Sequence, residues 1–186
     1  MSAFPSCEFW DYSLELYGRE GVAAACLALQ ERRGADVNLL LFCCWHGASG
    51  RGSIDGAALE RAQKLVGSWH GEVVRGLRAV RTRLKREPGP APVELAASLR
   101  KRIGAVEIEA EHIEQLLLFS LAAPAAAAPQ PSAIRAGHVA GNMRRYLEAL
   151  AGAVDEADRD ALAAVLAGAF PELPATACRE LLAAAN

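Results

Sequence analysis

Asp36-Val37-Asn38-Leu39-Leu40-Leu41-Phe42-Cys43-Cys44-Trp45-His46-Gly47 decides the fold of this chain: from Val37 to Trp45 only Asn38 is polar and nothing is charged. The run is too short for a bilayer, which needs about 20 apolar residues. Asp36 is a residue type that caps helix starts by accepting hydrogen bonds from free backbone N–H groups, and Gly47 is a type that ends helices. A helix on a protein surface shows a polar stripe, and this one has none. The stretch therefore predicts a short helix buried on every side. Other helices must surround it, so the expected fold class is all-α, a helical bundle with a buried central helix.

Composition agrees. Alanine, leucine, glutamate and arginine are abundant and β-branched residues sparse, which favours helix. At 186 residues the chain can build one good core. A net charge of −2 gives no whole-protein attraction for nucleic acid or anionic membrane. Met1-Ser2-Ala3-Phe4-Pro5 lacks the basic and apolar regions of a secretion signal. A cytoplasmic location is the expectation. The five cysteines form no CxxC pair, and adjacent Cys43 and Cys44 lie too close to bridge, so neither a disulfide framework nor a zinc site is expected.

Working outward, a first helix is expected after Ser6, carrying Phe9, Trp10, Leu14, Leu16 and Tyr17, and a second over 20–33 with Gly34 as its stop. The loop from Gly47 to Ser53 is glycine-rich but follows a helix and lacks a Gly-Lys-Ser/Thr ending, so it does not fit a phosphate cradle. From Asp55 a long helix places Leu59, Ala62, Val66, Trp69, Val73, Leu77, Val80 and Leu84 at helical spacing, with one extra residue absorbed near Gly76. It must stop at Glu87-Pro88-Gly89-Pro90. Leu99, Ile103, Val106, Ala110, Ile113 and Leu117 then form a heptad seam. Two such helices about a short turn predict a long antiparallel helical hairpin. Residues 122–132, rich in alanine and proline, read as a tether, and 133–151, 155–169 and 174–184 as helices of a small Ala-rich C-terminal helical unit. The expected organisation is thus a body over 1–121, a tether over 122–132 and a C-terminal unit over 133–186.

Phe9-Trp10 with Tyr17, Gly21-Val22 leading to Cys26-Leu27-Ala28-Leu29-Gln30, the run from Gly34 through Trp45, Trp69 with Val73-Val74-Arg75 and Leu77-Arg78, and the stretch from Glu107 to Gln115 together resemble a small proteobacterial family of uncharacterised helical proteins, a domain of unknown function. The resemblance covers roughly residues 8–118. It implies a helical fold and brings no activity, ligand or catalytic residue with it.

Four constellations could carry chemistry. Glu109 and His112 have the Glu-x-x-His spacing of carboxylate metal bundles, but the seam places Glu109 at g, His112 at c, Glu107 and Glu114 at e and Glu111 at b, all at its flank or outside. That pattern reads as a solvated or partner-facing acidic stripe, so no metal and no cofactor are expected. Cys43 and Cys44 cannot both face one ion from one helix, because successive residues stand ~100° apart, and His70 and His138 read as lone histidines. Asn38, with Trp10, Tyr12 and Trp45 as walls, forms a candidate pocket. Last, Arg78, Arg81, Arg83, Lys85, Arg86, Arg100, Lys101 and Arg102 converge on a basic hairpin tip. Arg100 to Arg102 are expected level with Arg78, and Glu107 to Glu114 level with 64–72, which makes the base of the hairpin acidic.

With no nucleophile–base pair, metal set or cofactor loop in sight, the leading expectation is a non-enzymatic cytoplasmic interaction or adaptor protein whose tip meets an anionic partner, most readily another protein. The alternative is an enzyme or small-ligand binder using the candidate pocket; convergent ionisable groups beside Asn38 would favour it. A nucleic-acid-associated factor is the third, without a recognisable module.

Overall fold

In the computed structural model, which describes residues 4–87 and 89–184, every regular element among the described residues is helical. The order is α1 (Glu8–Tyr17), α2 (Val22–Arg33), α3 (Val37–Ala48), α4 (Gly56–Ser68), a π-helical turn (Trp69–Val74), α5 (Arg75–Arg86), α6 (Val93–Phe119), α7 (Ser132–Ala151), α8 (Glu156–Ala169) and α9 (Ala175–Ala184). No helix among the described residues is long and apolar enough to cross a membrane.

Every residue of α3 after Val37 is buried. Its start is capped as the sequence implies: Asp36 Oδ1 accepts from the backbone N–H of Asn38 at 2.9 Å and of Leu39 at 3.4 Å. Its end differs. The helix runs past Gly47 to Ala48, and Gly47 serves packing, because a Cβ there would sit 2.7 Å from the backbone nitrogen of Val139 in α7. Helix α1 packs Phe9 edge-on against Phe42 and at a tilt against Trp45, with ring centroids 5.6 and 5.2 Å apart. The residue type of Ser6 suits a helix cap, but α1 follows Cys7 without a side-chain cap, so Ser6 does not take that place.

The C-terminal helices belong to the same core. Val139, Ala140, Met143, Tyr146 and Leu147 of α7 share one hydrophobic cluster with Leu40, Cys43 and Cys44 of α3. Asn142 reaches across to satisfy loop backbone, accepting from Ile54 N–H at 2.7 Å and donating to Gly52 O at 3.1 Å. Helix α8 is pinned to α2 by Arg33, which pairs with the fully buried Asp158. Residues 122–131 cross the surface irregularly, with Ala126 N–H bonded to Gly50 O at 3.0 Å.

Helices α5 and α6 form the expected hairpin, but α6 is rotated relative to the expected seam. Leu99 and Val106 are 44% and 48% exposed, whereas Glu107, Ala110, Glu114 and Leu118 face inward. The reading of Glu107 and Glu114 as outward residues is therefore corrected. A pattern count assigns carboxylates to solvent, and it cannot see that polar partners on other helices wait for these two inside.

Candidate functional site

Three side chains from three elements meet below the hairpin base. Asp36 is delivered by the N-cap of α3, Glu114 by the inward face of α6, and His70 by the π turn between α4 and α5. The extra residue that the 59–84 pattern demands is absorbed in that turn. A π turn widens the helix locally, and such turns are frequent at functional sites. The Trp69 indole N–H, donating to Ala110 O at 2.9 Å, ties the turn to α6.

His70 Nδ1 lies 3.3 Å from Asp36 Oδ2 and 3.4 Å from Glu114 Oε1. Each carboxylate has its other oxygen occupied: Asp36 Oδ1 by the α3 amides, and Glu114 Oε2 by the Asn38 side-chain N–H at 3.1 Å and by His70 Nδ1 at 3.4 Å. Gln115 in turn donates to Asn38 Oδ1 at 2.8 Å. Glu114 Oε1 has no hydrogen-bond partner although Glu114 is fully buried. Burial and the adjacent Glu114 push the Asp36 carboxyl well above its usual range, and burial raises Glu114 too. Burial lowers His70, with Asp36 opposing.

Above this centre lies an ion network. Arg78 donates to Glu107 at 3.0 Å, to Glu111 at 2.6 Å and to Gln30, while Arg81 pairs with Glu107. Glu107 is held below its usual range because the hydrogen bonds from Arg81 and Arg78 outweigh the effect of burial. Of the clefts that share the Arg78–Gln30 bridge, two border the centre. One, of about 530 Å³, lies between α2 and α5 and has His70, Arg75 and Arg78 in its walls. The other, of about 160 Å³, is lined by Trp10, Asn38, Glu111 and Gln115 among others.

Of the four candidate pocket residues, the structure brings together Trp10 and Asn38. Tyr12 instead faces Cys44 Sγ at 3.2 Å, and Trp45 is core, with Arg51 over its ring. The candidate tip residues also divide. Arg78 and Arg81 are committed to Glu107 and Glu111, and Arg83 pairs with Glu87. Their long side chains reach glutamates that were expected level with 64–72. Lys85, Arg86, Arg100, Lys101 and Arg102 are exposed and make no ion pair among the described residues. His112 stacks on Trp10, with centroids 4.2 Å apart, and on Phe4 at 4.5 Å, while Glu109 is exposed. All five cysteines are unbridged and buried, and burial pushes the Cys26 and Cys44 thiols up to about 12, so neither is a thiolate nucleophile.

The expectation that His70 stands alone is corrected, since it meets Asp36 and Glu114, and sequence spacing does not group the three. They stand 34 and 44 positions apart along the chain, and only the break in helical period near Gly76 hinted at an irregular turn.

Residues 8–118 match the model of a family described as a protein of unknown function, DUF2390. The chain belongs to that family. All three members of the centre, and the arginines above it, fall within the matched residues. No curated protein and no solved structure matches the chain.

Proposed function

We propose that this protein binds a small polar molecule in the cleft between α2 and α5, against the Asp36–His70–Glu114 centre. The observation that carries the reading is the convergence of three ionisable side chains from separate elements, one of which, His70, stands in the wall of a cleft of about 530 Å³. Ligand sites generally have volumes of about 300–1,000 Å³ and a few convergent polar groups. Arg75 and the Gln30 side-chain amide give the cleft donors suited to carboxylate or phosphate oxygens. A thermal-shift screen with small carboxylates and phosphates tests it. A ligand at 100 times its Kd stabilises by about 2.7 kcal/mol, which raises Tm by several degrees. Ala79→Trp, which fills the cleft from an exposed wall position, should abolish the shift. A screen without hits, or hits indifferent to Ala79→Trp, overturns the proposal.

A second reading is supported at the other end of the hairpin. The five unpaired cations of the tip lie beside exposed Val93, Leu95 and Leu99, a mixed basic and apolar surface suited to an acidic protein partner. The cytoplasm is where we place this activity, consistent with five free thiols.

A further inference from the structure

We propose that Asp36 Oδ2, His70 Nδ1 and Glu114 Oε1 ligate one divalent transition-metal ion of the zinc or manganese class. The inference deepens the preceding one, resting on these three side chains being the functional centre.

Three distances and contacts support it. Around a tetrahedral ion with bonds of about 2.0–2.1 Å, ligand atoms stand roughly 3.3–3.4 Å apart; the imidazole nitrogen lies 3.3 and 3.4 Å from the two carboxylate oxygens. All three atoms lie within 4.8 Å of one another, so small side-chain rotations close the set. Glu114 Oε1 is a fully buried acceptor without a donor, aimed at this point. A buried oxygen left unpaired is costly, and a bound cation removes that cost.

Charge matching points the same way. Arg78 and Arg81 are balanced by Glu107 and Glu111. Asp36 and Glu114 are left with no basic partner except the imidazole among the described residues. A dication neutralises that remaining pair of carboxylates. One imidazole and two carboxylates, without a thiolate, suit zinc, manganese or ferrous ions over copper(I).

The surroundings are those of a built site. Asp36 is oriented by two backbone amides and Glu114 by Asn38, which Gln115 fixes in turn. Outer hydrogen bonds of this kind orient metal ligands and set their affinity. His70 is the member of the set that lines the cleft between α2 and α5, so the site adjoins the space where a small molecule would enter.

Chelator-treated full-length protein, titrated calorimetrically with Zn²⁺ and separately with Mn²⁺, should bind one ion per chain for at least one of them. Glu114→Gln and His70→Gln should each weaken binding at least 10-fold while circular dichroism stays that of the wild type. If Glu114→Gln does not fold, His70→Gln decides, since His70 sits at the cleft wall and not in the hydrophobic core. Co²⁺ should give a spectrum without thiolate charge transfer. Absence of stoichiometric binding, binding undiminished by His70→Gln, or a thiolate band overturns the proposal. Because the ion is measured directly, a metal that binds while every small molecule fails in the screen leaves this inference standing and removes the cleft proposal. The reverse result does the opposite.

Discussion

At Gly47 a hydrogen in place of a side chain lets α3 lie against the backbone of α7. Gly47→Ala forces those helices apart, and overpacking of this kind costs about 1–3 kcal/mol. Leu40, fully buried in the same helix, should lose about 2–5 kcal/mol on truncation to alanine through the cavity left behind. Urea denaturation of the two variants measures both, and a Leu40→Ala midpoint equal to wild type would place Leu40 outside the core. Asp158 bears on pH. Burial raises its carboxyl, but hydrogen bonds from Arg33, the Asp155 backbone and Arg32 prevail and hold it below the usual value. A carboxyl lowered on folding stabilises the protein above its unfolded pKa, about 3.9, and loses that contribution as pH falls through the folded value. Asp158→Asn should therefore be less stable than wild type at pH 7, with the gap narrowing below about pH 4. A gap independent of pH would assign the effect to packing.

Among the elements, the hairpin separates charges that look alike in sequence. Arg78 and Arg81 hold a Glu107 that is only 5% exposed, while the cations from Lys85 to Arg102 face water. Removing both partners of a buried carboxylate leaves it uncompensated, at a cost of about 3–5 kcal/mol. Replacing exposed charges changes folding little. The double variant Arg78→Gln/Arg81→Gln should melt well below wild type. Replacing Lys85, Arg86, Arg100 and Arg102 with glutamine should leave Tm nearly unchanged and weaken any anionic partner in a salt-sensitive way. Pull-down at low and high salt, alongside a melt, reads both. If the tip variant retains its partners at low salt, the tip is a solvated surface only.

For the whole molecule, the decisive contact is α3 against α7. Tyr146 seals the start of α3, its hydroxyl accepting from Asp36 N–H at 2.8 Å. A chain ending at residue 131 would expose the α3 face that Val139, Met143 and Leu147 cover. We expect this truncation to lose cooperative thermal unfolding and to bind a hydrophobic dye, measured by calorimetry and fluorescence. A cooperative melt near that of the full chain would show that residues 8–118 fold without the C-terminal helices.

Local pattern determined the helices. The charge-free run at 37–45, the Gly34 stop, the Asp36 cap and the proline break after Glu87 follow from backbone sterics and burial, which act within a few residues, and the structure keeps each of them. Even the break in period near Gly76 was legible, though its π form, over Trp69–Val74, was not. What only the tertiary structure decided is which polar groups are inside. Glu107 and Glu114 are acidic residues on an amphipathic helix, and their burial depends on Arg78, Arg81, Asn38 and His70, tens of residues away. The same holds for the C-terminal helices: their alanines promise little buried area one helix at a time, yet small residues let α7 approach α3 closely enough to complete the core. A carboxylate's cost of burial is set by the partners it meets, and those partners come together only when the chain folds.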